Sequence, residues 1–408
     1  MQNMKQKKIN ALTYIITIVF SAIFIICGNR IFTHKTDFWS SQNGLSEKAR
    51  IIEITDIDTE SYMIDSETTM SNTEISFKAE ILSGDYKGRI VKGIQNIDNF
   101  SPYVSRQVEV RDKVLLTHDT GEDLDMSRGW IYSEILRTDK LTILLGVFLG
   151  LMLLFGGKKG VNTIVSLGLT CLAVFCVFVP SVMSGANIYI TSIAVCLYTI
   201  VMTLIIVNGY DKKTLSAIIG CFFGVLISGI LTLIMNKVLN LTGILDETSI
   251  GIAMLNTEKP IDPLAIIFGS VIIGAMGAVM DVSMSISSSL YELSNKVKNL
   301  DFSMLLSSGF EIGKDIMGTM ANTLVLAYIG SSLSSLLLLI MYNPNILSLM
   351  NREMVVVEVM QSLIGSIGIL FAIPFTSLVA SLLYTKKDID TEDLLWKIQL
   401  YLTLTEHF

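Results

Sequence analysis

The chain has 408 residues, 51% of them hydrophobic and 16% charged, with a formal net charge of −7 and a mean hydropathy of +0.58. That balance excludes a soluble single-core protein and a nucleic-acid binder, which needs a basic face. The five cysteines (Cys27, Cys171, Cys176, Cys196, Cys221) lie in apolar runs without CxxC spacing, and the three histidines (His34, His118, His407) are far apart. Neither a disulfide framework nor a histidine metal cluster follows, and no cofactor is implied.

Taken in order, Lys5, Lys7 and Lys8 precede an apolar run at 11–27, with no small-residue cleavage site after it. Residues 1–29 are expected to be a basic cytoplasmic start and an uncleaved signal-anchor helix. Residues 30–139 change character. Short β-branched or alternating runs at 49–56, 74–82, 88–94, 113–118 and 129–135 are separated by turn residues such as Ser83, Gly84 and Asp85. They predict a small extracytoplasmic antiparallel β domain, barrel-like, between helices 1 and 2. Lys87, Gly88 and Arg89 have no Walker spacing around them, so Gly88 is read as a turn residue. Asp119, Glu122, Asp123 and Asp125 lack the calcium-loop pattern and read as a solvated loop.

Seven apolar runs follow, near 141–156, 161–182, 187–207, 214–236, 263–288, 316–341 and 361–384. Each is long enough, or nearly so, to span about 30 Å of hydrocarbon. Lysines fall in every second connection: Lys158 and Lys159, Lys212 and Lys213, Lys296 and Lys298, Lys386 and Lys387. The positive-inside rule then gives an α-helical polytopic protein of the cell membrane with about eight transmembrane helices. Both termini are cytoplasmic, 30–139 is outside, 140–385 is the membrane core, and 386–408 is a cytoplasmic amphipathic tail with Thr391 capping its helix.

Two stretches of the core carry chemistry. Ser270, Gly274, Gly277, Asp281, Ser285 and Ser288 follow at helical spacing and form one stripe. Small residues allow close helix approach in lipid, so Gly277 is expected to face neighbouring helices and Val279 to face outward. Asp281 has two open readings: a structural hydrogen-bonding group, or a proton or cation site. Asp315, Thr319 and Asn322 share a face of the next helix, with Gly318 beside them for packing. If the helices end near 288 and begin near 316, Asp281 and Asn322 both lie roughly 10–12 Å from the same surface and can meet. Asn322 offers a donor and an acceptor, which suits either protonation state of an acid. Glu311, Lys314 and Asp315 also read as a solvated loop and helix start.

The motif Gly274–Ala–Met–Gly–Ala–Val–Met–Asp–Val–Ser–Met–Ser–Ile–Ser–Ser–Ser–Leu–Tyr–Glu–Leu293, followed by Gly313–Lys–Asp–Ile–Met–Gly–Thr–Met–Ala–Asn–Thr–Leu–Val–Leu–Ala–Tyr–Ile–Gly330, resembles the YibE/F-like family of bacterial multi-pass membrane proteins. The resemblance covers roughly 140–385. An anchor and an external domain ahead of that core resemble its YibE-type members. The resemblance implies a permease of unassigned substrate. It also implies a proline in the stretch matching 331–335, which this chain lacks. The order of anchor, external domain and mid-span acid is similar, more weakly, to SecD/SecF proteins and the resistance-nodulation-division exporters.

The expected function is a membrane permease or exporter component, coupled to protons or another cation through Asp281, with Asn322, Asp315, Ser285 and Thr319 beside it. The alternative is a non-transporting scaffold or accessory subunit whose β domain binds an envelope partner. No nucleophile–base set marks an enzyme. The expected partners are the bilayer, an unidentified transported substrate that includes protons, and a second copy or paired membrane subunit.

Overall fold

In a computed structural model, residues 2–33, 45–63, 69–98, 106–118, 130–254, 260–297, 301–342 and 345–385 are described. The acidic group at 119–125 and the expected helix from Thr391 lie outside the described residues. The chain divides into two compact units, Trp39–Leu151 and Met1–Phe38 with Met152–Phe408.

Period-two alternation builds the first unit. Ile75, Phe77, Ala79 and Ile81 follow one another on β2 (Thr69–Ile81), and all are fully buried. Beside them run β1 (Leu45–Met63), β3 (Ile90–Asp98), β4 (Lys113–His118) and β5 (Trp130–Ile135). The five form a closed barrel in the order β1-β2-β3-β5-β4. β1 is long enough to pair with both β2 and β4, and it turns the corner through register shifts between Ile51 and Glu53 and between Ile54 and Asp56. Four pairings are antiparallel. The fifth, β3 with β5, is parallel, which corrects the all-antiparallel expectation. A five-stranded closed barrel of this kind has the architecture of the OB-fold. Gly93 faces Phe77 across the β2–β3 pair, and a side chain there would collide with the Phe77 ring. Gly88 has φ +82 in the turn between β2 and β3, where its amide donates to the Ile81 carbonyl. The 106–108 segment is tied to the barrel by buried Gln95, whose side chain bonds the Arg106 carbonyl and the Val108 amide, both at 2.9 Å.

The second unit is helical. Its elements are α1 (Gln2–Thr33), α2 (Thr138–Ala173, which begins in the first unit), a π-helical turn (Val174–Phe178), α3 (Val179–Met183), α4 (Ile188–Asn208), α5 (Lys212–Val238), α6 (Glu247–Ala253), α7 (Pro263–Lys296), α8 (Phe302–Ser331), α9 (Leu333–Tyr342), α10 (Ile346–Met350) and α11 (Glu353–Tyr384). Six helical stretches among the described residues are long and apolar enough to cross a membrane: Ala11–Thr33, Thr138–Met183, Ile188–Asn208, Lys212–Val238, Pro263–Lys296 and Glu353–Tyr384. α8 and α9 make a seventh if the pair is one span. They bend by 62° at Ser332, without the proline that the resemblance implies. The break follows Gly330 and Ser331, and Gly/Ser pairs are a recognised cause of sharp kinks.

Thr138–Met183 is 46 residues, about 69 Å if straight and more than twice the hydrocarbon thickness. It is not straight. Gly157 has φ 52 and ψ −126, outside helical space. A Cβ on Gly160 would run into the Met152 carbonyl oxygen, so the chain folds back at this point.

α11 is the central helix and packs against α5, α7 and α8. Its closest neighbour is α5. Gly220, Gly224 and Ser228 on α5 follow at steps of four, as do Gly368, Ala372 and Thr376 on α11. A Cβ on Gly224 would lie 2.8 Å from the Gly368 carbonyl oxygen, and one on Gly220 would lie 2.8 Å from Thr376 Cβ. This is close small-residue packing of membrane helices. α7 offers the core Ile272, Val279, Ile286 and Leu290, all essentially buried. α1 joins through Phe24, stacked on Tyr198 of α4 at 4.3 Å.

Both ends of this bundle are pinned. At one end, Ser216 (α5), Ser287 (α7) and Tyr384 (α11) form a buried hydroxyl triangle, with oxygen separations of 2.6, 2.8 and 2.8 Å. Lys212 Nζ donates to the Leu383 carbonyl beside it at 2.8 Å. At the other end, the Glu353 carboxylate accepts from the Thr242 and Gly243 amides, both at 2.6 Å, and from Thr242 Oγ1 at 2.8 Å.

Candidate functional site

The helices that carry the candidate residues are longer than their apolar runs. α7 continues to Lys296 and α8 begins at Phe302. Residues 289–296 and 302–315 therefore extend the two helices rather than forming a loop. Glu311, Lys314 and Asp315 are inside α8, where Lys314 Nζ pairs with Glu311 Oε1 at 3.0 Å, which corrects the loop reading. Asp281 stands near the middle of α7, about 22 Å from Lys296 rather than 10–12 Å from its end.

Two contacts fix the register between α7 and the antiparallel α8. A Cβ on Gly309 would be 3.1 Å from Leu290 Cδ1, and a Cβ on Gly274 would be 2.5 Å from the Tyr328 hydroxyl. Between these points Asp281 falls at the level of Thr319. Asn322 lies about one turn to one side of that level and Asp315 about one turn to the other. Asp281, Asp315, Thr319 and Asn322 are all exposed in the isolated chain, as are Ser285, Gly277 and Gly318. Asp281 and Asn322 are not hydrogen-bonded to each other. The Thr319 hydroxyl donates to the Ile316 carbonyl at 2.9 Å.

From Gly277 to Ser285 the small-residue stripe of α7 is thus an open face. Neither Gly277 nor Gly318 has a neighbour within 4 Å of an added Cβ. Val279, expected to face outward, is fully buried, and its Cγ1 would be 2.8 Å from a Cβ on Gly224. Of the three packing glycines, only Gly274 meets another helix, at Tyr328. The close helix contact that the stripe was expected to make is made by α5 with α11. Its signal was present in the sequence as two four-residue ladders, 220–224–228 and 368–372–376.

The arrangement has a definite chemical character. Asp281 is an ionisable group in mid-helix, on a face where Ser285, Thr319 and Asn322 supply hydroxyl and amide groups. A carboxylate facing hydrocarbon costs roughly 2.5–3.5 kcal/mol on insertion scales. Such a face is stable in a bilayer only against water or another polar protein surface.

A second polar layer, which the sequence reasoning did not single out, lies where Gly274 meets Tyr328. Gln361 of α11 donates through Nε2 to Ser270 Oγ of α7 at 3.2 Å. Tyr328 OH and Glu358 Oε2 are both buried and have no hydrogen-bond partner among the described residues. A lone glutamate within an otherwise apolar stretch of α11 was the available signal.

A family model described as YibE/F-like protein matches residues 144–386. No curated protein and no solved structure matches the chain, and nothing in these comparisons supports the similarity to SecD/SecF proteins.

Proposed function

The chain belongs to the YibE/F-like family, and from that premise we propose that it is a permease or exporter component of the cell membrane, coupled to proton or cation movement through Asp281. The observation that carries this reading is the open polar face of α7 and α8, with Asp281 in mid-helix at the level of Thr319. A group in that position can exchange an ion with a hydrated cavity, whereas a structural acid would be bonded to a neighbouring helix. The face is shielded from lipid by water, by a second copy or by a paired subunit.

The proposal includes eight spans. We take the fold-back at Gly157 as dividing Thr138–Met183 into two crossings and the bent α8–α9 pair as one more, a count that the kink and the bend support. Lysine parity then places both termini inside and the barrel outside. On this orientation the Ser216–Ser287–Tyr384 triangle closes the cytoplasmic side.

The test is ion movement in vesicles containing a pH-sensitive dye, wild type against Asp281→Asn. The variant keeps the shape and hydrogen-bonding capacity of the side chain. It should insert and fold as wild type and lose coupled flux. Unchanged flux in the variant removes Asp281 from the mechanism.

A second reading rests on the barrel. Closed five-stranded barrels of OB type commonly serve as binding modules, which supports a scaffold whose outer domain recognises an envelope partner. Under that reading Asp281→Asn leaves function intact, and deletion of the barrel abolishes it.

A further inference from the structure

We propose that Glu358, Tyr328, Ser270 and Gln361 form a binding site for a small monovalent cation of the sodium class, one layer away from Asp281. Three observations converge on this layer. The first is the orphaned pair: Glu358 Oε2 and the Tyr328 hydroxyl are buried and have no hydrogen-bond partner among the described residues. The second is the register. A Cβ on Gly365 would be 2.7 Å from Leu324 Cδ2 and 3.5 Å from the Ala275 Cβ, and Gln361 is bonded to Ser270. These contacts bring Glu358 and Gln361 of α11 level with Tyr328 of α8 and with Ser270 and Gly274 of α7. The third is the opening that Gly274 makes. A Cβ there would stand 2.5 Å from the Tyr328 oxygen, so only glycine lets that hydroxyl reach across to α7.

The donor set selects the ion. Every group it offers is a hard oxygen: one carboxylate, a phenol, a serine hydroxyl, and the Gln361 carbonyl oxygen, whose amide nitrogen is already engaged by Ser270. Hard oxygen donors suit alkali and alkaline-earth ions rather than soft transition metals. A single carboxylate matches one positive charge, whereas calcium sites collect several. Glu358 is half-buried with its Oε2 enclosed and pairs with no lysine or arginine among the described residues, and an enclosed charge without a counter-charge is costly. A sodium-sized cation supplies that counter-charge and partners both orphaned oxygens at once. The site goes beyond the proposed role of Asp281 and does not depend on it.

The test is thermal unfolding of the purified full-length protein in detergent, titrated with sodium chloride against potassium and choline chloride at matched ionic strength. Sodium should raise the unfolding midpoint saturably, because a ligand bound only by the folded state stabilises it. Glu358→Gln should abolish the sodium-specific rise. Tyr328→Phe, which loses one neutral oxygen, should raise the half-saturating sodium concentration about fivefold. Asp281→Asn should keep the rise, so failure of the coupling reading and failure of this site are told apart. An equal rise in choline, a rise that survives in Glu358→Gln, or an unchanged half-saturating concentration in Tyr328→Phe overturns the proposal. If Glu358→Gln does not fold, Tyr328→Phe and Gln361→Ala decide the matter by the same criterion.

Discussion

Gly224 of α5 and Gly368 of α11 bring two helix backbones together, with the Gly368 carbonyl oxygen 2.8 Å from where a Gly224 Cβ would stand. The obstacle is backbone, which cannot rotate away as a side chain can. Val279 Cγ1 closes the same space from α7, also at 2.8 Å. Gly224→Val should therefore destabilise the bundle by about 1–3 kcal/mol, the usual cost of overpacking. Gly277→Leu, on the open face, should change stability by less than about 0.5 kcal/mol. Unfolding midpoints in detergent compare the two, and equal sensitivity would mean that α7 is rotated relative to this account.

Tyr384→Phe should loosen the end of the bundle where three helices meet. It removes the hydroxyl bonded to both Ser216 and Ser287 while those two remain 2.6 Å apart. The expected loss is about 1–2 kcal/mol. It should come with faster amide hydrogen exchange at the start of α5. An exchange rate unchanged there would show that the Ser216–Ser287 bond suffices.

Glu353→Ala should release the turn at Thr242 and Gly243. One carboxylate satisfies two backbone amides and a hydroxyl across a long stretch of chain. Hydrogen bonds to a charged group contribute roughly 1.5–3 kcal/mol each when buried and less when exposed. Only partial exposure of Glu353 argues for a total near about 2 kcal/mol. Proteolysis between α5 and α6 should become faster in the variant, and an unchanged cleavage rate would show the turn to be held by other contacts.

Topology has its own test. Single cysteines placed between 60 and 130 should react with impermeant thiol reagents added to intact cells, and those at 158, 212, 297 and 387 should not. Position 158 is the most telling, because it adjoins Gly157, where the helical run folds back. Labelling at 158 from outside would leave Thr138–Met183 as something other than two crossings.

How much of this was legible in the sequence differs by element. All five strands were placed to within a few residues at most boundaries, except that β1 extends well beyond its expected run, because inward residues such as Ile75, Phe77 and Ala79 alternate strictly. The parallel β3–β5 pair was not legible, since pairing partners are set by closure of the barrel. The membrane runs were legible by hydropathy but their ends were not. At 289–296 and 302–315 polar residues enter while the chain stays helical, so a hydropathy window stops short of Lys296 and Phe302. That shift moved Asp281 from opposite Asn322 to opposite Thr319. Spacing identified the stripe through Gly277 and Asp281, but spacing does not tell which side of a helix its neighbours occupy. In this bundle they occupy the Val279 side.

The position of α11 also dictates the order of assembly in time. It is the helix that α5, α7 and α8 all close upon, yet it follows all three in the chain. During synthesis the ladder of Gly220, Gly224 and Ser228 enters the bilayer with nothing to fill it. The interval between the end of α5 at Val238 and the end of α11 at Tyr384 lasts on the order of ten seconds at 5–20 residues per second. During that interval α5 and α7 can already meet through the Ser216–Ser287 bond and Val279, but the side of the ladder that α11 covers stays open, and a ribosome that stops before α11 leaves a product that no amount of waiting can complete.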